Sequence, residues 1–398
     1  MGDSIFVLQT HRLAMAKDSA PIITAESILD HFESLPDPRS HINRKHLLGD
    51  LIVISIMAVI AGAEGPEAIS VWAKSNEDWL AERLQLPGGV PSADTIGRLL
   101  VALKPSAFQS CFEGWIKALS KQHIDQDLDV IAIDGKALRR SHDSKSSLGP
   151  LFLVSAWAVQ RGISLGQLAT AEKSNEITAI PELLGQIDIE SSIVTIDAAG
   201  CQKAIAAKII EGKGDYVLAL KGNQGNLYQA AMDFVIENME NDFADVAART
   251  YTERLKGHGR IDEITYHQIP IPKDLPGKEN WKGLRTIGIA IRHSESSCGE
   301  TDDVRYYISS LKPSVKKFAQ CVRGHWAIEN TLHWCLDVTF REDENRVRNR
   351  NLANNLAWLK RFAISLLKQV DGKESIAMKR RMAGWNNEFL LKVLGIPV

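Results

Sequence analysis

Apolar residues recur at helical spacing through 47–63, 67–84 and 95–119, which predicts a helical segment reaching to about residue 125. Leu86-Pro87-Gly88-Gly89-Val90-Pro91 reads as a turn, and Ser92 or Asp94 can cap the helix that follows. From 128 the pattern changes. LDVIAID (128–134), LFLVSAWAVQ (151–160) and SLGQLATAE (164–172) are β-rich runs, the last two separated by Arg161-Gly162-Ile163. Ser174-Asn175-Glu176 opens a helical stretch to about Ile187, SIVTID (192–197) reads as a strand, 200–212 as a helix and DYVLALK (215–221) as a strand. The order is β-β-β-α-β-α-β. Because crossovers between parallel strands are right-handed, a three-strand meander followed by two of them can set the fourth strand parallel to the first, as its neighbour.

Residues 226–315 interrupt this pattern with an acidic helix-like stretch and the strand candidates IDEITYHQI, GLRTIGIAIRH and VRYYISSL; helical spacing returns in 318–336, 350–370 and 375–394. The expected division is a helical N-terminal domain (1–125), the first part of an α/β core (126–225), an inserted β-rich subdomain (226–315), and a helix completing the core with further C-terminal helices (316–398). The N-terminal helices suit packing, dimerisation or DNA binding, since no recognition helix is marked by charge.

The longest apolar run, Leu51 to Ala63, is 13 residues, whereas a helix needs about 20 to span a bilayer; it predicts a buried helix. The N-terminus shows no signal-peptide pattern. Five cysteines, odd in number and without a CxxC, indicate neither a disulfide framework nor a zinc site and fit a reducing cytoplasm. With 47 basic and 49 acidic residues the net charge of −2 excludes a histone-like DNA coat. Basic runs remain at 39–46 (RSHINRKH) and at 341–361, where Arg341, Arg346, Arg348, Arg350, Lys360 and Arg361 against Glu342, Asp343 and Glu344 leave a balance of +3. Such runs are solvated faces or polyanion contacts.

Asp134 and Asp197 each end an apolar run, VIAI and IVTI, of the kind expected for a strand covered on both faces. On neighbouring parallel strands the two carboxylates fall side by side, at the strand ends where open α/β sheets hold ligands. Like charges at close range are kept mainly when a cation lies between them, and oxygen-only ligands suit Mg²⁺ or Mn²⁺. In RGHWAIENTLHWCLD (323–337), His325, Glu329 and His333 are spaced to form one helical stripe. That stripe either faces the site or is the polar side of an amphipathic helix. The spacing is not HExxH.

The motifs VIAIDGKALRRS, EKSNEITAIPELL, IVTIDAAGCQ, DYVLALKGNQ, KGHGRID and RGHWAIENTLHWCLDVTFREDENRVR resemble the DDE transposases of bacterial insertion sequences, in the H-repeat-associated branch found near Rhs elements. HINRKHLLGDLI and PSADTIGRLL extend the resemblance over essentially the whole chain. It implies a ribonuclease-H-like mixed sheet core, two Mg²⁺ ions (Mn²⁺ as substitute) bound by Asp134, Asp197 and Glu329, and cleavage and joining of double-stranded DNA by a homodimer. Glu342 and Glu344 are alternatives for the third carboxylate. Related transposases carry Tyr, Arg and Lys in the spacing Y-x2-R-x3-E-x6-K; here those positions are Val322, His325 and Leu336. Any DNA grip they provide would pass to His325, Arg323 or the 341–361 segment. Lys173, Lys221, Asn223, Gln224, His258 and Arg260 are further candidate DNA contacts near loops, glycines allowing close backbone approach and amides reading base edges. A nuclease without a joining step, or a residual DNA-binding protein, are the other functions this sequence could serve.

Overall fold

A computed structural model describes residues 25–396 apart from 41, 43, 121–128, 143–148, 171–175, 258 and 298. The first described elements are helices α1 (Ala25–Phe32), α2 (Leu48–Ile60), α3 (Pro66–Ser75), α4 (Glu77–Ala81), α5 (Ala93–Ala102) and α6 (Pro105–Ser120). The stretch expected as one helix over 95–119 breaks at Leu103, which is extended, because Pro105 begins the next helix without a backbone N–H. Ser92 caps α5, accepting from the Thr95 amide. Every residue of α2 from Leu51 to Ile60 is buried. No helix among the described residues is long and apolar enough to cross a membrane.

The sheet begins with β1 (Val130–Leu138), β2 (Leu151–Ala158) and β3 (Ile163–Thr170) as an antiparallel meander. Helix α7 (Glu176–Gln186) leads to β4 (Ile193–Ile196), and α8 (Lys203–Glu211) to β5 (Asp215–Leu220). Strand β4 pairs parallel with both β1 and β5, the neighbour relation expected from crossover handedness and the ribonuclease-H-like arrangement. After α9 (Gly225–Met239) come β6 (Arg249–Gly257), β7 (Arg260–Pro270), β8 (Thr286–Ser296) and β9 (Gly299–Ser309).

These last four strands do not interrupt the sheet but extend it. Strand β9 pairs antiparallel with β5, Leu218 opposite Ile308, giving one nine-stranded sheet in the order β3-β2-β1-β4-β5-β9-β8-β7-β6. The chain then runs through α10 (Val315–Ile328), two π-helical turns (Glu329–His333 and Cys335–Thr339), α11 (Arg350–Gln369), α12 (Ile376–Trp385) and α13 (Asn387–Val393).

The central strands are apolar throughout because both faces are covered. On one face Ile131, Ile133, Val194 and Ile196 pack against Ile180 and Leu183 of α7 and Ile205 and Ile209 of α8. On the other, Val130, Ile193 and Val217 meet Phe318, Cys321 and Val322 of α10. Helix α10 lies tight on the sheet: a Cβ on Gly288 would stand 2.3 Å from the Phe318 ring, so only glycine leaves room there. Helix α11 is buried along most of its length and shares its core with the N-terminal helices, with Phe362 4.4 Å from Phe112 and 4.3 Å from Trp115, centroid to centroid. Helices α1–α6 and α11–α13 thus form one apolar unit beside the sheet.

Candidate active site

The register of β1 and β4 places the two aspartates. Ile133 opposite Ile196 is the last pair of this ladder, and Asp134 and Asp197 directly follow it, where neighbouring strands run about 4.8 Å apart. Each carboxylate is oriented by a local amide. The Gly135 N–H donates to Asp134 Oδ1 at 2.8 Å, and the Gly200 N–H to Asp197 Oδ1 at 3.1 Å.

Helix α10 brings the third carboxylate over them. Thr195, two residues before Asp197 and therefore on the same face of β4, has its Oγ1 3.2 Å from His325 Nδ1. One turn beyond His325, Glu329 begins the first π-helical turn, whose Trp334 N–H bonds back to the Glu329 carbonyl. Such turns widen a helix and recur at functional sites. Asp134, Asp197, His325 and Glu329 all line one cleft of about 580 Å³. His333, at the end of the same turn, has Nδ1 3.5 Å from Asp134 Oδ2. The His325-Glu329-His333 stripe therefore faces the aspartates, although the helix that carries it is not regular.

A charged scaffold fixes this geometry from behind. Lys136 of β1 is buried, with Nζ 2.6 Å from Asp337 and 3.0 Å from Asp343, tying the strand of Asp134 to the segment after Glu329. Glu342 pairs at 2.8 Å with the fully buried Arg361, whose Nε donates to Ser155 Oγ, and Ser155 is the cross-strand partner of Asp134. Glu344 pairs with Arg341 at the surface. Both alternatives for the third carboxylate are thus engaged elsewhere. Lys360 and Arg361 are also buried, so they belong to this interior scaffold and not to a basic DNA-facing run.

Burial pushes the Asp134 carboxyl up to about 7, with the charges of Asp197, Glu176 and Glu329 adding to the effect and the Gly135 amide opposing it. The concentration of carboxylates is one a hard divalent cation would relieve, and an oxygen-only donor set fits Mg²⁺ or Mn²⁺. No three His, Cys, Asp or Glu side chains among the described residues close on a single point, so the carboxylates share a cleft without forming a finished coordination shell. Burial pushes both His325 and His333 down to about 4, leaving them neutral at physiological pH.

Four arginines line the same cleft, Arg260, Arg292, Arg305 and Arg323, from β7, β8, β9 and α10. Arg305 lies over the Trp326 ring at 4.9 Å, and Arg323 pairs with Glu253 at 2.9 Å. Arg260 and Arg323 were expected from sequence; Arg292, Arg305 and the buried Glu176 were not. Glu176 approaches the backbone beside Asp134 so closely that a Cβ on Gly135 would stand 2.3 Å from its Oε1. Nothing in a single sequence marks these residues, because only strand register and helix docking bring them here.

Asn223 and Gln224 do not line this cleft. Asn223 Nδ2 donates to the Ala198 carbonyl at 2.7 Å and Gln224 Nε2 to that of Cys201 at 2.9 Å, so both amides brace the loop that follows Asp197. Lys221, exposed, precedes them. Lys173 and His258 lie outside the described residues.

Residues 125–367 match the family model described as "Transposase DDE domain", and residues 29–116 match its companion, "DDE_Tnp_1-associated". The chain is 37% identical over 377 residues to the "H repeat-associated putative transposase YhhI" of Escherichia coli (strain K12), covering 93% of this chain and 98% of that protein. It is also 37% identical over 378 residues to the "Putative transposase YncI" of Escherichia coli O157:H7, covering 94% and 95%. Among solved structures, the piggyBac transposase synaptic complex with hairpin DNA aligns over 95% of this chain and 80% of that chain, with a TM-score of 0.39 and 11% identity.

Proposed function

Because this chain belongs to the DDE-domain transposase family, we propose that it cleaves the ends of a mobile DNA element and joins the freed 3′-hydroxyls to target DNA, using Asp134, Asp197 and Glu329. The observation that carries this reading is that these carboxylates line one cleft together with four arginines. Carboxylates hold cations and guanidinium groups grip phosphates, so the two kinds of side chain suit the two things a phosphoryl-transfer site must hold.

When bound by the three carboxylates, two Mg²⁺ or Mn²⁺ ions would supply Lewis-acid activation of the attacking hydroxyl and charge neutralisation at the leaving oxygen. The protein's own contribution is placement. The β1–β4 ladder sets Asp134 beside Asp197, and the Thr195–His325 contact sets Glu329 above them. The Lys136 and Arg361 pairs keep the segment after Glu329 against β1 and β2. In the first step water attacks phosphorus and the bond to the 3′ oxygen breaks, leaving a 3′-hydroxyl and a 5′-phosphate. In the second that hydroxyl displaces a 3′ oxygen of target DNA, so one phosphodiester bond forms for each one broken and no external energy source is needed. No covalent bond to the protein is required. Joining two ends to one target calls for two copies of the chain on DNA.

Asp134→Asn should abolish cleavage and joining on element-end DNA in Mg²⁺ while end binding persists. Full activity in that variant would refute the assignment. Wild-type cleavage without any joining would mark a nuclease instead.

A further inference from the structure

Asp262 has an unusual position for an acid, set among arginines. It is buried to 9% exposure on β7, lines the same cleft as the catalytic carboxylates, and is surrounded by cations. Arg260 Nε donates to its Oδ2 at 3.0 Å; Arg292 donates through Nε at 3.2 Å and through Nη2 at 3.0 Å; Ser294 Oγ donates at 2.5 Å. Sheet register explains the convergence. Arg260 and Asp262 are two apart on β7 and so share a face, Ser294 is the cross-strand partner of Asp262, and Arg292 is its diagonal neighbour on β8.

We propose that Asp262 is a positioning residue that holds Arg260 and Arg292 as a paired guanidinium cradle for one phosphodiester group of the DNA strand, in the cleft that Asp134, Asp197 and Glu329 also line. This rests on the reading of the chain as a DNA-cleaving transposase. One carboxylate between two guanidinium groups leaves a net positive charge. The bonds to Asp262 use Nε and Nη2 of Arg292 and only Nε of Arg260, so Nη1 of Arg292 and both Nη groups of Arg260 stay outside them. A guanidinium has five N–H donors in a rigid fork that matches a phosphate. Arg260 is half exposed and Arg292 retains 23% exposure, so their remaining donors can be reached from the cleft. Aligning two forks in advance reduces what DNA binding loses to side-chain ordering. Ion pairing alone gives a weaker reason for the cluster, since a pair whose arginine is half exposed, as Arg260 is, contributes little to stability.

The test exploits a sign. Removing an acidic charge near DNA should tighten binding by Coulomb's law alone, whereas removing a residue that aligns arginines should weaken it. Binding of the full chain to a duplex carrying the element end is measured by fluorescence anisotropy over a range of salt, with EDTA present to prevent turnover. Asp262→Asn is expected to bind about tenfold more weakly, with the slope of log affinity against log salt reduced by about one, the loss of about one phosphate contact. Arg292→Ala should weaken binding similarly, and the double variant should be little worse, because the two act as one unit. Asp262→Asn binding as tightly as wild type or tighter, with an unchanged slope, overturns the cradle while leaving the transposase reading intact. Wild type with no salt-dependent binding overturns both. Should Asp262→Asn fold poorly, Arg260→Gln at the exposed start of β7 carries the same expectation, and an unchanged slope there equally overturns it.

Discussion

His325 Nδ1 and Thr195 Oγ1 lie 3.2 Å apart, joining α10 to the strand that runs into Asp197. The contact makes the position of Glu329 dependent on that of Asp197, through one turn of helix and two residues of strand. Thr195→Val keeps the shape of this buried side chain but removes the hydroxyl. Turnover on end DNA is expected to fall about tenfold, the equivalent of roughly 1.4 kcal/mol of lost placement, with DNA affinity unchanged. Turnover equal to wild type would show that the contact does not position the helix.

The three glutamates near the end of the site separate by their partners. Glu329 lines the cleft, Glu342 is buried against Arg361, and Glu344 is a surface partner of Arg341. Glu329→Gln should therefore lose cleavage without losing stability, and Glu344→Gln should change neither. Glu342→Ala leaves a buried guanidinium unpaired and should cost about 3–5 kcal/mol in urea unfolding. An active Glu329→Gln protein would move the third carboxylate elsewhere.

Asn223 reaches the Ala198 carbonyl, next to Asp197. Asn223→Ala is expected to lower cleavage severalfold by loosening this loop, a loss of about 1 kcal/mol for one hydrogen bond, and to leave end-binding affinity as it was. Weaker binding with unchanged turnover of the bound complex would instead make Asn223 a DNA contact.

Much of this site is legible in the sequence because strands covered on both faces are written as unbroken apolar runs. VIAI and IVTI announce β1 and β4, and handed crossovers set the strands side by side; β1 runs on to Leu138, so Asp134 lies within its strand and only Asp197 lies at a strand end. Other features leave no such trace. Strand β6 is exposed or half-buried along its length, so Arg249–Gly257 shows no apolar alternation. The π-helical turn at Glu329–His333 has no residue signature. The pairing of β9 with β5, which makes β6–β9 four of the nine strands of one sheet, depends on long-range register. The same register carries Arg292 and Arg305 to the cleft. Lys360 and Arg361 read as surface cations until the fold buries them.

Asp134 also ties the site to stability. Its carboxyl is raised from 3.8 to about 7 in the folded, metal-free protein, chiefly by burial and then by Asp197, Glu176 and Glu329. A raised acid means that the folded state holds a proton the unfolded chain has released. The stability linked to that proton is therefore complete below about pH 4 and is lost as pH climbs through about 7. In EDTA, wild type and Asp134→Asn should unfold at similar urea concentrations at pH 4, while at pH 8 the asparagine variant should be the more stable by a few kcal/mol. Adding Mg²⁺ at pH 8 should stabilise wild type and have little effect on the variant, since a ligand bound only by the folded state adds to its stability. A difference between the two proteins that stays constant from pH 4 to pH 8 would mean that Asp134 is already charged across this range, and that the crowding of carboxylates around it does not favour a cation.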